Sequence, residues 1–384
     1  MPRMLYYLLL LAVIAPILSL RGGPNLETAI FIFSALSLIP LAALIGHVTE
    51  QLEYYVGPVA GGLLNATFGN APELIIGIFA LSHGLISVVK ASITGSIISN
   101  ALLVLGGSLA VGGWRWGKQF FSYRNAGQYA AMMVLAVAGL LIPYIASIAI
   151  TDKGRIQSLS IAVSLILLVV YVLYLCLNVF HIRSARRNPR HVQKRPLVTR
   201  VLVDWDNDPD EEVAPVTGGI DPHAIQKSMR PPSIWWLLLL LLITMLGTTW
   251  NSELLVGGIT PVAMQLGWSP VFIGLVILPI IGNAAEHYSS VVVAYKDRIE
   301  LSMAIAAGSS IQVATFVAPL LVLISLHFAT PLDLVFQPLE LVVLTLATLL
   351  FAVVSWYGET TWLAGMQLLA VYVMACVVFF LLPR

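Results

Sequence analysis

Long apolar runs alternate with short polar ones along nearly the whole chain. A helix rises about 1.5 Å per residue, so about 20 apolar residues cross the roughly 30 Å of a bilayer's hydrocarbon. Such runs lie near 4–20, 26–46, 59–83, 87–111, 126–148 and 158–180. After a polar interval they resume near 233–255, 270–294, 299–326, 336–356 and 360–382. The pattern predicts an all-α polytopic membrane protein with eleven transmembrane helices. The first run, with Arg3 ahead of Leu5 to Leu20, has the outline of a signal sequence; no small-x-small cleavage site follows, and it is read as a retained helix.

Polar letters inside the runs repeat. Gly69-Asn70-Ala71-Pro72-Glu73 returns as Gly282-Asn283-Ala284-Ala285-Glu286, and the same offset of 213 pairs Gly95-Ser96 with Gly308-Ser309, Ile98 with Ile311 and Ala101 with Ala314. Two linked motifs in one register make an internal duplication. The offset sends the second, third and fourth runs onto the seventh, eighth and ninth. The expected organisation is an extra helix over 1–22, a five-helix repeat over 23–180, a cytosolic linker over 181–232 and a second five-helix repeat over 233–384. Five is odd, so the second unit enters the membrane from the opposite side. Inverted repeats of this kind place a site near the midplane of many secondary transporters.

Composition agrees: 59% of residues are hydrophobic, 10% are charged, and the mean hydropathy is +0.91. That excludes an ordinary soluble domain. A net charge of +1 points to no polyanionic partner, and nucleic acid is not expected. With the amino terminus cytosolic, 15 of the 20 basic residues fall on the inner side, mostly through the cluster Arg183, Arg186, Arg187, Arg190, Lys194 and Arg195 behind the sixth run. The linker turns acidic at Asp204, Asp206, Asp208, Asp210, Glu211 and Glu212. It reads as a solvated connector or a weak collector of divalent cations, since it lacks the glycine and spacing of an EF-hand. Cys176 and Cys376 have no metal or redox spacing and read as small packing residues.

Glu73 and Glu286 are the candidate chemistry. An ionisable residue within a membrane span is costly and marks a functional site that needs a partner. Pro72 cannot donate to the Phe68 carbonyl, and Gly69 eases unwinding, so the third helix is expected to break and free carbonyls near 68–70. Such carbonyls must face a cavity rather than lipid. In the second copy Ala285 stands in place of the proline, and Pro279 is expected to supply the break, leaving the two halves free to differ. Asn70 and Asn283 lie three residues before their glutamates, on the same helical face. Ser96, Ser99 and Asn100 form a polar strip on the next helix, matched by Ser309, Gln312 and Val313. Packing contacts are the alternative for the serines, Asn100 and the two glycines. No Lys or Arg is expected in any of the four core helices. A site of formal charge −2 results, which one divalent cation or two protons can neutralise, and these are the two loads of an exchanger.

Through these residues the chain resembles the cation/proton exchanger family of the calcium/cation antiporter superfamily. The resemblance rests on Gly69 to Ile75, Gly95 to Asn100, Gly282 to His287 and Gly308 to Gln312. It implies Ca²⁺/H⁺ antiport by a non-enzymatic protein without a resident cofactor, Ca²⁺ and H⁺ being the transported species. Glu73 and Glu286 would bind cation or protons, with Asn70, Asn283, Gly69, Gly282, Ser99, Asn100, Ser309 and Gln312 completing the site. His287 is either a proton relay or a hydrogen-bonding partner of a neighbouring helix. Related sodium/calcium exchangers read more like Gly-Thr-Ser-x-Pro-Glu, so the asparagines favour H⁺ over Na⁺ as the counter-ion. Glu50, Glu53 and Glu253 are placed near helix ends. The absence of a long hydrophilic extension like that of plant relatives suggests a constitutively active version in a prokaryotic plasma membrane; a vacuolar or other organelle membrane, and a homo-oligomer, are left open. The rivals are a Na⁺-coupled Ca²⁺ exchanger and an intramembrane metallohydrolase using Glu286 and His287; the latter lacks a His-Glu-x-x-His motif.

Overall fold

The computed structural model of the protein describes residues 8–21, 23, 26–187 and 232–381. The acidic cluster at 204–212 and the basic residues at 190–195 lie outside the described residues. The helices are α1 (Leu11–Arg21), α2 (Glu27–Phe68), α3 (Ala71–Ser82), α4 (Ile86–Trp116), α5 (Tyr123–Ala149) and α6 (Lys153–Arg187). After the linker come α7 (Ile234–Leu266), α8 (Pro270–Gly282), α9 (Ala284–Tyr295), α10 (Ile299–Ser325), α11 (Pro338–Trp356) and α12 (Trp362–Leu381). Among the described residues eight helices are individually long and apolar enough to span a bilayer, and α8 with α9, bent by 57°, makes a ninth, broken span. The shorter α1 and α3 fall on the first and third apolar runs, so the structure is compatible with eleven crossings.

One boundary differs from expectation. The polar residues after position 46 do not form a loop; α2 runs through them and turns at Gly57 (φ 82, ψ 168), a backbone conformation open to glycine. Likewise α7 continues to Leu266, which leaves Glu253 exposed within the helix rather than at its end.

The duplication is visible in the backbone. Adding 213 to the limits of α3 gives those of α9, and α4 and α10 begin at the equivalent Ile86 and Ile299. Both long helices widen into a π-helical segment midway, Ser99–Val104 and Val313–Val317. The turn before α4 uses Gly84 at φ 71, and its equivalent before α10 is Asp297 at φ 60. Aspartate is one of the few side chains that tolerates this left-handed region, and here it also accepts a hydrogen bond from Gln119 Nε2 at 3.0 Å.

Loops gather at two ends, as an odd-numbered repeat requires. At one end Lys118 pairs with Glu359 (3.0 Å), and β1 (Gln119–Phe120) lies antiparallel to β2 (Glu359–Thr360). Trp116 Nε1 donates there to the Tyr295 carbonyl (3.0 Å). At the other end Lys90 pairs with Asp333 (2.6 Å), and Gln157 donates to the Leu332 carbonyl (3.1 Å). The core is built on α4 and α10, whose most apolar stretches are 83% and 67% buried against 28% for α6, α7 and α12. Small residues let it close: a Cβ at Gly95 would lie 2.1 Å from the Leu275 carbonyl oxygen, so α4 and α8 cross in backbone contact.

Candidate ion-binding site

Both chain breaks fall on asparagine. Asn70 (φ −98, ψ 12) and Asn283 (φ −92, ψ 14) leave the helix in nearly the same conformation, and Glu73 and Glu286 occupy the first turns of α3 and α9. Each carboxylate therefore sits at the amino-terminal end of a half-helix, where unpaired N–H groups favour negative charge. The first break falls where Gly69 and Pro72 were expected to put it; the expectation that Pro279 makes the second is corrected here. The second copy breaks as the first does without a proline at 285, and the carbonyl of Pro279 accepts an ordinary helical bond from the Asn283 amide (3.0 Å).

The halves meet at the breaks. Glu73 is buried, and its side chain lies against Gly282: a Cβ there would come within 3.1 Å of Glu73 Oε1. Glu73 thus lies against the break that carries Glu286 four residues further on. Glu73 Oε2 and Glu286 Oε2 are buried with no protein hydrogen-bond partner. Asn283 is fully buried with neither side-chain atom bonded, and Asn100 Oδ1 is also unpartnered.

Three cross-repeat hydrogen bonds frame these orphaned atoms. Asn70 Nδ2 donates to Gln312 Oε1 at 2.6 Å, Asn100 Nδ2 to Ser309 Oγ at 2.9 Å, and Ser99 Oγ lies 3.2 Å from His287 Nε2. His287 thus bridges to a neighbouring helix, the second of its two expected roles in geometry. The strip foreseen on α4 is split: Ser99 and Asn100 start the π-helical segment and reach different partners, while Ser96 joins Glu73 in lining a small cavity. Gly69 donates its amide to the Asn65 carbonyl (2.8 Å) and is half-buried; Gly282 is buried against Glu73.

Two contacts were not foreseen from the sequence. Lys90 does lie in a core helix, which corrects the expectation that none of the four holds a basic residue. It sits in the second turn of α4, and its ammonium group is committed to Asp333 and to the Val335 carbonyl (2.7 Å). Close by, Glu340 at the start of α11 is 1% exposed and accepts from Thr94 Oγ1 at 3.0 Å. Its position behind Pro338, at the edge of an apolar run, gave no sign of burial. Cys176 is exposed, not a packing residue, while Cys376 is partly buried.

Among the described residues no three His, Cys, Asp or Glu side chains converge as a metal centre would require. The breaks offer two carboxylates and amide oxygens instead, hard donors of the type Ca²⁺ takes. Two inverted repeats, each broken at mid-span with a carboxylate at the break, define a secondary membrane transporter.

Comparison with known proteins agrees. The family model described as "Sodium/calcium exchanger protein" matches residues 26–180 and 236–381. The chain belongs to this family, within the calcium/cation antiporter superfamily. It is 40% identical to the "Ca(2+)/H(+) antiporter" of Synechocystis sp., over 93% of this chain and 92% of that one. It is 36% identical to the "Ca(2+)/H(+) antiporter ChaA" of Bacillus subtilis, over 95% of each. The solved structure of native YfkE superposes with a TM-score of 0.78 at 33% identity, covering 98% of this chain and 100% of that one.

Proposed function

We propose that the protein exchanges Ca²⁺ for H⁺ by alternating access, with Glu73 and Glu286 accepting either the metal ion or protons. The observation that carries this reading is the set of orphaned buried acceptors at the two breaks: Glu73 Oε2, Glu286 Oε2, Asn283 Oδ1 and Asn100 Oδ1. Buried polar groups left without a partner are costly, and charged ones more so. A divalent cation satisfies the set, and protonation discharges it. The membrane halves rearrange only when the pair is neutralised, which couples the two ions. Asn70, Ser99, Ser309, Gln312 and the Gly69 and Gly282 carbonyls complete or brace the site. The names of the relatives at 36–40% identity support the ion pair chosen. A bacterial plasma membrane, with the amino terminus and the 112–124 loop cytosolic, fits the basic residues behind α6 and in that loop.

Ca²⁺ uptake into proteoliposomes, driven by an imposed pH gradient with and without Na⁺, tests the reading. Uptake should follow the proton gradient and ignore Na⁺; strict dependence on Na⁺ overturns the proton assignment. Because both ions use the same carboxylates, acidifying the side from which Ca²⁺ enters should raise the KM for Ca²⁺ by competition. A KM indifferent to pH would contradict a shared site.

A further inference from the structure

We propose that Ser108, Ser290 and Ser302 form the closed gate of a second access route to the carboxylate pair, and that their hydroxyls line this route once it opens. The inference rests on the alternating-access reading above. It starts from the cavity beside Glu73, whose walls include Gly77, Val89 and Leu321. These residues come from α3, the start of α4 and the end of α10, all close to the loops at 83–85 and 326–337, so the cavity extends from Glu73 toward that end of the bundle. Under the 213-residue offset their equivalents are Ser290, Ser302 and Ser108.

At the mirrored place beside Glu286 the same three positions are shut. All three serines are fully buried. Ser290 Oγ lies 2.7 Å from Ser302 Oγ and 2.9 Å from Ser108 Oγ, and also bonds the Ser302 carbonyl at 3.2 Å. Ser290 follows Glu286 by four residues, one helical turn along the same face, as Gly77 follows Glu73. The surrounding helices differ in the same sense. The second half of α4 carries Gly106, Gly107, Gly112 and Gly113, whereas the equivalents at the end of α10 and just past it are Pro319, Leu320, Ser325 and Leu326. A Cβ at Gly112 would come within 3.1 Å of the Ala294 carbonyl oxygen, so α9 lies tight against α4 there.

Inverted repeats exchange roles when a transporter switches sides. The state in which the mirrored cavity exists is therefore one in which the serine trio has parted. Hydroxyls suit a gate of this kind, since each bond broken between them is replaced by one to water, and the opened wall is wettable. An apolar gate would instead favour expelling water from the route.

The test uses full-length chain in which Cys176 and Cys376 are replaced by serine, reconstituted in vesicles and treated with a membrane-impermeant maleimide from either face. Val89→Cys should label from the face carrying residues 326–337, and Ser302→Cys from the face carrying residues 112–124. Adding Ser290→Ala to Val89→Cys removes the centre of the trio without touching the labelled wall; it should shift the equilibrium between the two access states at least about fivefold, roughly the worth of one hydroxyl hydrogen bond, away from the state that labels Val89→Cys, and so lower that labelling. Ser108→Ala, which removes an outer member, should act in the same direction. Labelling of Ser302→Cys from the opposite face or from neither, or Val89→Cys labelling unmoved by both alanine variants, overturns the gate. Labelling is read without ion flux, so a gate that behaves as described in a protein whose uptake depends on Na⁺ would refute only the ion assignment.

Discussion

Asn70 and Asn283 share a motif, a backbone conformation and a place at the same kind of break, yet their side chains are used differently. Asn70 is tied to Gln312 of the other half, while Asn283 is buried with both polar atoms unbonded. The neighbouring helices diverge too. Asn100 reaches across to Ser309, and the residue equivalent to Asn100 is the apolar Val313. Duplication preserved the frame that puts a carboxylate at each break and let the bonds around it drift. A pair of breaks built this way is asymmetric, with one amide tied to the opposite half and the other buried without a protein hydrogen bond.

The sharpest way to break the comparison is at the carboxylates, where the halves are expected to act alike. Glu73→Gln and Glu286→Gln should each reduce exchange to background in proteoliposomes while the protein stays monodisperse in detergent. Either variant retaining substantial Ca²⁺ uptake would mean that the asymmetry extends to the charges and that one glutamate suffices.

Next in size is a pair of equivalent glycines. A Cβ at Gly95 would meet the Leu275 carbonyl oxygen at 2.1 Å, whereas one at Gly308 meets nothing within 4 Å. Gly95→Ala is expected to destabilise the fold by roughly 1–3 kcal/mol through overpacking against rigid backbone. Gly308→Ala should stay within about 0.5 kcal/mol of the parent. Thermal unfolding in detergent measures both, and equal shifts would show that the two helix crossings are alike after all.

The asparagines come third. Asn283→Ala should weaken Ca²⁺ dependence without lowering the Tm, because it deletes a buried group that makes no protein bond. Asn70→Ala should instead cost about 1 kcal/mol of stability by leaving the half-buried Gln312 without its partner. If Asn283→Ala lowers the Tm as much as Asn70→Ala, the unbonded amide is structural rather than directed at an ion.

What was legible in the sequence followed from covalent order. Apolar length gave the helices, and the 213-residue offset placed α3 on α9. Glu73 and Glu286 stood out because carboxylates are rare in such surroundings. What stayed hidden depends on contacts between segments far apart in the chain. Nothing local to Lys90 marks its link to Asp333, 243 residues away, and nothing local to Glu340 marks its bond to Thr94. The π-helical segments also lack a residue signature, so a strip counted at three and four residues from Ser96 was split where the helix widens at Ser99. The serine trio was hidden for a related reason: Ser108, Ser290 and Ser302 are unremarkable singly and meet only when α4, α9 and α10 pack.

The smallest expected effect concerns Pro72, the residue that most suggested a helix break. Pro72 is the second residue of α3, a position whose amide has no intrahelical acceptor, so proline there forfeits no helical bond. Asn283 adopts the same break ahead of Ala284 and Ala285, which means that the motif's backbone does not need the ring. Pro72→Ala should therefore leave exchange intact and lower stability by about 0.4–1 kcal/mol, the entropy a proline removes from the unfolded chain. By the same reasoning Ala285→Pro should be tolerated, since it places the ring at the equivalent position of α9. Loss of exchange in Pro72→Ala with a well-tolerated Ala285→Pro would show that the first break is held open by its proline, and that the two halves reach one geometry by different means.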